Sequence, residues 1–273
     1  MTINCKGNLI DLSTPKVMGI LNLTPDSFFD GGKYKNISDV LFQVETMLQE
    51  GATFIDVGAY SSKPNASFVS ETEELNRIIP IIQGITDKFP DILLSVDTFR
   101  SQVAQQSILA GAALVNDISA GKLDTNMLSM VGKLKVPYVM MHMRGTPQTM
   151  QTLTEYELLL KDIIFYFSER LSEAKKHQIS DIIIDPGFGF AKTREQNFKL
   201  LKHLEHFKML EKALLIGVSR KSMIYNTLHV TAKDALNGTT VLNTIALQKG
   251  ANILRVHDVK EAMECIHLTL EMT

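Results

Sequence analysis

Residues 182–187 of the 273-residue chain read Ile-Ile-Ile-Asp-Pro-Gly, a short run of consecutive apolar side chains that ends in a polar one. Strands that are apolar at consecutive positions are typical of a parallel sheet buried on both faces. Seven further runs of this kind occur: VMGILNL ending near Leu23, FIDVGAY ending at Tyr60, LLSVDT ending at Thr98, LVNDIS ending at Ser119, YVMMH ending at His142, LLIGVS ending at Ser219 and ILRVHD ending at Asp258. The sequence therefore predicts eight buried parallel strands.

The segments between these strands show the apolar spacing of helices, as in Val40, Val44, Met47 and Leu48, or Leu158, Ile163, Phe167 and Leu171. Eight strand–helix units fit a closed (β/α)8 TIM barrel of about 250 residues. An open doubly wound sheet is the alternative, because the sequence does not show closure. No linker divides the chain, so one domain over residues 1–273 is predicted, with INCKGNLIDL forming a short N-terminal hairpin that plugs the bottom of the barrel.

Composition and charge exclude several classes of protein. The 28 Lys and Arg against 30 Asp and Glu give a net charge of −2, without the cationic field that non-specific nucleic-acid binding needs. The longest apolar runs, such as 138–141, are far shorter than the roughly 20 residues of a membrane span. The N-terminus lacks the apolar core of a signal peptide, and Cys5 and Cys265 lie at opposite ends. We therefore expect a cytoplasmic, reduced protein without disulfides.

Polar residues gather where the apolar runs end: Asn22, Asp56, Asp97, Asn116, Asp117, His142, Asp185, Ser219, Arg255 and His257. In a βα barrel the carboxyl ends of all strands open onto one face. A buried polar group without a partner costs about 1–3 kcal/mol, so these side chains need partners or a ligand. Any one of them could instead cap the next helix. Taken together, they predict the rim of an active site.

Two long loops follow the first two strands. The first, NLTPDSFFDGGKY from Asn22 to Tyr34, carries Pro25 and the aromatic pair Phe28 and Phe29. It predicts a mobile lid, and a plain solvent loop is the alternative. The second is YSSKPNASFVSETEE, whose Lys63 either reaches the mouth of the barrel or is a surface lysine.

Two cationic segments follow the last two strands. In GVSRKSMI, Arg220, Lys221 and Ser222 stand between a strand and a helix, where backbone N–H groups and cations favour a carboxylate or phosphate. Arg255 and His257 are two residues apart, so they share one face of their strand and can meet a second anion. A surface position is the alternative reading for this pair.

The motifs argue against some chemistries. The sequence has no HExxH, no CxxC and no clustered histidines, which argues against tightly held zinc. It has no G-x-S-x-G around Ser219 or Ser222, which argues against covalent serine catalysis. The remaining Asp and Asn oxygens, together with cations, suit Mg²⁺ with a phosphorylated substrate.

Six ordered blocks carry a specific likeness: MGILNLTPDSFFDGG, SVDTFRSQVAQ, LVNDISAG, IIIDPGFGFAKT, IGVSRKS and RVHDV. In these, and along essentially its whole length, the chain resembles the dihydropteroate synthases of the pterin-binding family. The resemblance implies a (β/α)8 barrel, usually a homodimer. It also implies a transferase of folate biosynthesis that joins 6-hydroxymethyl-7,8-dihydropterin diphosphate to 4-aminobenzoate, forming 7,8-dihydropteroate and diphosphate. Sulfonamides imitate the aminobenzoate in such enzymes.

The resemblance also implies roles for single residues. The pterin would be held by Asp97, Asn116, Asp185, Lys221 and Gly217. The diphosphate would be held by Asn22, Arg255 and His257, with Asn22 also contacting Mg²⁺. The aminobenzoate would be held by Phe28, Ser62, Lys63, Pro64, Phe190 and Ser222. Asp97, Asp185 and Lys221 would be catalytic together with Asp30, which would face the reacting centre. The implied mechanism is dissociative: diphosphate leaves first, and the aromatic amine then attacks a pterin methylene cation.

One segment departs from the family. Many members read GGESTRPG where this chain reads GAYSSKPN at 58–65, and Lys63 cannot reproduce the planar two-point contact of an arginine. We expect this to affect loop ordering, turnover or sulfonamide affinity more than the reaction itself. Two other functions stay open: a methyltransferase that uses methyltetrahydrofolate, and a non-catalytic pterin-binding paralogue. Neither has a use for residues that hold diphosphate.

Overall fold

The computed structural model describes residues 1–23, 36–60 and 69–272. A short antiparallel hairpin of β1 (Thr2–Cys5) and β2 (Asn8–Asp11) precedes a closed barrel of eight parallel strands. These are β3 (Lys16–Asn22), β4 (Phe54–Gly58), β5 (Leu94–Asp97), β6 (Leu114–Asp117), β7 (Tyr138–Met141), β8 (Ile182–Asp185), β9 (Ala213–Ile216) and β10 (Ile253–Val256). Closure comes from β10 pairing with β3, where Ile253 lies opposite Lys16. The predicted TIM barrel is confirmed, and the open doubly wound sheet is excluded.

Helices alternate with the strands: α1 (Ile37–Gln49), α2 (Glu71–Lys88), α3 (Ser101–Leu109), α4 (Met127–Leu134), α5 (Leu159–Lys176), α6 (Arg194–Lys202), α7 (Ser222–Leu228), α8 (Leu236–Gln248) and α9 (Val259–Leu270). Three short 3-10 helices lie at Met150–Thr152, Leu204–Leu210 and Ala232–Asp234. In α1 the Asn36 side chain caps the first turn, and Val40, Val44 and Met47 are buried. Among the described residues, no helix is long and apolar enough to cross a membrane.

Two details of the predicted elements were wrong. Leu158 does not belong to the buried stripe of α5; it precedes the helix and is exposed, and Leu159 takes the buried position. The strands also end earlier than their apolar runs. For example, β5 ends at Asp97 and β9 at Ile216, before Thr98 and Ser219. The polar residues after each strand therefore belong to the loops that frame the mouth.

The N-terminal hairpin closes the bottom of the barrel, as predicted. Ile3, Cys5 and Leu12 are buried in one apolar cluster with side chains from the barrel strands: Met18, Phe54, Leu114, Val139, Ile183, Leu215 and Ile253. The opposite end, where the strands have their carboxyl termini, is thereby left as the open face.

Candidate active site

A network of charged and amide side chains connects four strands at the mouth of the barrel. Arg255 on β10 donates from Nε to Asp56 Oδ2 at 2.6 Å and from its NH2 group to Asp97 Oδ2 at 2.8 Å. Asn116 on β6 donates from Nδ2 to the same Asp56 oxygen at 2.9 Å. The other oxygen of Asp56 is buried and has no hydrogen-bond partner in the described part of the chain.

Asp56 is the centre of this network, and the sequence analysis gave it no role beyond the rim. Its side chain is fully buried in the middle of the apolar run of β4, beside Ile20 of β3. A carboxylate inside a buried strand needs a cation as its partner, so the position of Asp56 within an apolar run could have indicated this ion pair. The cation itself stands 199 residues further along the chain.

Arg255 is already paired, which refines its predicted role. Two of its five N–H bonds go to the carboxylates of Asp56 and Asp97, and the other three have no acceptor among residues 1–23, 36–60 and 69–272. Burial, with a smaller contribution from the neighbouring Asp56, raises the pKa of Asp97 to about 7 against the opposing effect of Arg255. Gly58 allows the close approach of β5, because a Cβ there would lie 3.3 Å from the Cβ of Asp97.

Asp185 ends β8 and is 7% exposed. Its Oδ1 accepts the N–H of Gly187 at 2.8 Å. Burial raises the pKa of its carboxyl, and Lys221 is the largest opposing charge. The turn after Asp185 requires glycine at 187, where φ is +72° and a Cβ would lie 2.1 Å from the carbonyl oxygen of His142.

Lys221 reaches the same region from the other side. It directly precedes α7, and its Nζ donates to the carbonyl of Phe188 and lies 4.8 Å from the centre of the Phe190 ring. Burial lowers the pKa of this lysine to about 8, against the opposing effect of Asp185. The structure therefore brings Lys221, Asp185 and Phe190 together, while Ser222 stands exposed as the first residue of α7.

The residues predicted to hold diphosphate lie at the same end of two neighbouring strands. Asn22 is the last residue of β3, and β3 pairs with β10, which carries Arg255. His257 follows β10, and its Nδ1 lies 3.0 Å from the hydroxyl oxygen of Ser219. Gly217, predicted at the pterin, is buried after β9, and a Cβ there would lie 3.9 Å from that of Arg255.

Arg220 is engaged by an acidic side chain of the protein itself, whereas its cationic segment was expected to meet the anionic group of a ligand. Its Nε and NH2 groups bind both oxygens of Asp258 at 2.8 Å, and it also donates to the carbonyl of Ala232 at 2.9 Å. It joins the loop before α7 to the loop before α9, so its role is structural. Phe28, Asp30, Ser62, Lys63 and Pro64, with the predicted lid, lie outside the described residues.

A buried lysine, Lys192, lies beside the predicted rim residue His142 and was not predicted from the sequence. Lys192 Nζ lies 3.0 Å from His142 Nδ1, and the two residues are 8% and 2% exposed. Burial lowers the pKa of both side chains well below their ordinary values. His142 was noted only as a polar residue at a strand end, and the sequence around Lys192 gives no sign that it is buried.

Few groups of side chains in the described part of the chain could bind a metal ion on their own. Within residues 1–23, 36–60 and 69–272, the one group of three His, Cys, Asp or Glu side chains close enough to share an ion is His203, Glu205 and His206. This group precedes β9 and therefore lies toward the closed end of the barrel. At the mouth, Asp56 and Asp97 are engaged by Arg255.

Comparisons with known proteins place the chain in a family. Residues 18–257 match the family described as pterin binding enzyme. The dihydropteroate synthase of Haemophilus influenzae is 42% identical over 261 residues, which cover 95% of this chain and 94% of that protein. The dihydropteroate synthase of Synechocystis is 46% identical over 250 residues, covering 90% and 86%. The chain therefore belongs to the pterin-binding enzymes.

Solved structures agree with this assignment. The Yersinia pestis dihydropteroate synthase with a sulfonamide drug superposes with a TM-score of 0.96 at 40% identity, covering 100% of this chain and 99% of that one. The Xanthomonas albilineans dihydropteroate synthase with 4-aminobenzoic acid gives 0.91 at 34% identity, covering 99% and 97%. The relatives within the family are thus dihydropteroate synthases in both sequence and structure.

Proposed function

We propose that this protein is a transferase of folate biosynthesis that performs the dihydropteroate synthase reaction. It joins 6-hydroxymethyl-7,8-dihydropterin diphosphate to 4-aminobenzoate and releases diphosphate. The observation that carries the proposal is the meeting of Asp185 and Lys221 at the mouth that also holds Asp97, Asn116 and Arg255. Incubation of the purified protein with both substrates and Mg²⁺, followed by measurement of dihydropteroate and diphosphate, tests it. Absence of both products contradicts it.

The pterin fits the buried carboxylate of Asp185. A pterin edge presents two adjacent N–H donors, and a carboxylate can accept both. Among the described residues, the one hydrogen bond to Asp185 is from the Gly187 N–H to Oδ1, so the carboxylate has acceptor capacity left for a ligand. Asn116 and Lys221 offer an amide and an ammonium for the acceptor atoms of the ring. The carboxylates that hold the pterin are also those that stabilise positive charge on its methylene carbon.

The departing diphosphate needs cationic and amide donors at one place. Three N–H bonds of Arg255 have no acceptor in the described part of the chain, and Asn22 and His257 stand at the same end of the neighbouring strands. Donors fixed in place before reaction stabilise the leaving group's charge without reorganisation. The amine of aminobenzoate then attacks the methylene carbon and loses a proton, so no covalent bond to the protein is required.

Mg²⁺ fits this site only together with the substrate. The mouth offers the side-chain oxygen of Asn22, whereas Asp56 and Asp97 are bound to Arg255. Mg²⁺ commonly takes one or two protein oxygens and completes its shell with water and phosphate. Bound in that way, it would neutralise charge on the leaving diphosphate.

The aminobenzoate site would use Phe190 as a wall, beside the Lys221 ammonium and the start of α7 at Ser222. We propose that the two loops contribute four further residues to this site: Phe28, Ser62, Lys63 and Pro64. Asp30 would face the reacting centre. The altered segment at 58–65 leads us to propose a changed sulfonamide affinity. A sulfonamide is bound by the Yersinia pestis relative.

The alternatives fit the site less well. A methyltetrahydrofolate methyltransferase or a non-catalytic pterin binder has no use for Asn22, Arg255 and His257 as a diphosphate-binding group. A homodimer and a cytoplasmic location complete the proposal. Light scattering of the purified chain tests the first, and fractionation of the source cells tests the second.

The rate of the reaction should fall as the pH rises above about 8. The pKa of Lys221 is lowered to about 8 by burial, so its ammonium is present below that pH and lost as pH rises through it. If the ammonium contacts the pterin, kcat/KM for the dihydropterin substrate falls by about tenfold for each pH unit above 8. A pH–rate profile with a flat region extending to pH 10 contradicts this role for Lys221.

A further inference from the structure

Lys192 is a buried cation that the mechanism above does not use. It is 8% exposed, and its Nζ lies within hydrogen-bond distance of three acceptors. These are His142 Nδ1 at 3.0 Å, the Gly187 carbonyl at 2.9 Å and the Phe190 carbonyl at 3.0 Å. An ammonium group has three N–H bonds, so each bond has one acceptor. The arrangement saturates the group and leaves it nothing to offer a substrate directly.

We propose that Lys192 is a positioning residue for the aminobenzoate site, acting through the turn at residues 187–190. The proposal rests on the function proposed above. In it, Lys192 holds the two ends of this turn together, and the turn presents the Phe190 ring to the second substrate.

The geometry of the turn supports this role. Gly187 and Gly189 both have left-handed backbones, with φ of +72° and +79°, and the Phe190 N–H donates to the Gly187 carbonyl at 3.1 Å. The carbonyls of Gly187 and Phe190 both point to the Lys192 ammonium. Without Lys192, the carbonyls of Gly187 and Phe190 would both lose a buried N–H donor. We expect the turn to open as a result and to carry Phe190 with it.

A second lysine holds the same turn from the side of the mouth. Lys221 Nζ donates to the Phe188 carbonyl and lies over the Phe190 ring. A shift of the turn therefore changes both the Phe190 wall and the acceptor that orients Lys221. Asp185 is held differently, because its bond is to the Gly187 N–H at the start of the turn and its strand is fixed in the barrel. We therefore expect Lys192 to affect the aminobenzoate side more than the pterin side.

The chemistry of His142 agrees with a cation in this place. Its Nδ1 lies 3.0 Å from Lys192 Nζ, and its ring packs edge-on against Tyr166 at a centroid distance of 4.8 Å. With its hydrogen on Nε2, the ring offers Nδ1 as the acceptor that an ammonium needs. A buried ammonium costs free energy that an apolar side chain would not. A polar group kept buried at such a cost beside a candidate active site is a candidate for a role in that site.

The test compares Lys192→Met with Lys199→Met, which removes an exposed lysine of α6. For Lys192→Met we expect KM for aminobenzoate to rise about tenfold, because small displacements of a positioning group have effects of this size or larger. KM for the dihydropterin substrate should stay within about twofold. Lys199→Met should change neither constant.

A merely structural role gives a different result. Loss of folded protein lowers the apparent kcat and leaves both KM values as they were, and that outcome overturns the proposal. Equal rises of the two KM values overturn it as well. If Lys192→Met does not fold, His142→Leu provides the test, because it leaves Lys192 with the two carbonyl acceptors. We then expect a smaller rise in KM, and for aminobenzoate alone. Two unchanged KM values overturn the proposal.

Calorimetric binding of 4-aminobenzoate in the presence of pterin and diphosphate gives the same comparison without turnover. Weaker binding by Lys192→Met than by the unmodified protein supports the proposal, and equal binding overturns it. If the unmodified protein binds aminobenzoate but forms no dihydropteroate, the proposed reaction fails and the proposal for Lys192 is still decided by the two affinities.

Discussion

Asp185→Ala should weaken binding of dihydropterin diphosphate by at least about a hundredfold, because two ligand donors would lose their buried acceptor. Within the ranges that the structure describes, the carboxylate of Asp185 has one hydrogen bond, from the Gly187 N–H. Removing this carboxylate therefore weakens ligand binding more than it weakens the fold. Isothermal calorimetry with the pterin substrate measures the change, and affinity within threefold of the unmodified protein contradicts the assignment of the pterin site.

The same substitution should not destabilise the protein. Burial raises the pKa of Asp185 in the folded state, so the ionised carboxyl is more favourable in the unfolded chain. This group lowers stability at neutral pH, and it ceases to do so only as pH falls below its ordinary pKa. Removing it should leave the free energy of unfolding at pH 7 unchanged or higher, as urea denaturation can show. A large loss of stability would mean that Asp185 supports the fold rather than a ligand.

Unlike Asp185→Ala, Asp56→Ala should destabilise the protein, with a loss of about 3 kcal/mol in the free energy of unfolding. Arg255 and Asn116 both donate to one oxygen of Asp56, and its side chain is fully buried. Without it, a partly buried guanidinium keeps only Asp97 as a partner. Since Arg255 is also proposed to bind diphosphate, kcat/KM should fall by about a hundredfold or more.

Glu73→Ala is the matched control for Asp56→Ala. It removes a carboxylate from an ion pair with Arg77 on α2, where the glutamate side chain is 50% exposed. Exposed pairs of this kind contribute about 0.3–0.5 kcal/mol. Urea denaturation of both variants gives the comparison. Similar losses in the two would show that the network at the mouth does not stabilise the barrel.

The eight strands and the polar rim could be predicted because burial on both faces leaves a direct mark on the sequence. Asp97, Asn116, Asp185, Arg255 and His257 follow or end such runs, and parallel strands place them at one end. The helical spacing of apolar residues predicted the wrong buried residue at the start of α5. Leu158 and Leu159 are equally apolar there, and only the position of the helix boundary decides which of them is buried.

The pairing of side chains across the mouth could not be predicted. Sequence gives the residue types at the strand ends but not the atoms that meet, such as a guanidinium and an amide on one oxygen of Asp56. Lys192 shows the same limit, since its neighbours in sequence do not distinguish it from the exposed Lys199. It is buried because two left-handed glycines turn the chain so that its ammonium meets the Gly187 and Phe190 carbonyls.

The network at the mouth constrains the order in which the molecule can assemble. The carboxylates of Asp56 and Asp97 precede Arg255 by 199 and 158 residues. During synthesis, therefore, the first half of the barrel contains two facing acids whose cation has not yet been made. Contacts of such high sequence separation slow folding, and the unneutralised acids disfavour a compact half barrel. The pairing of β10 with β3 brings Arg255 to these acids, so a chain that lacks β10 also lacks the cation that neutralises them.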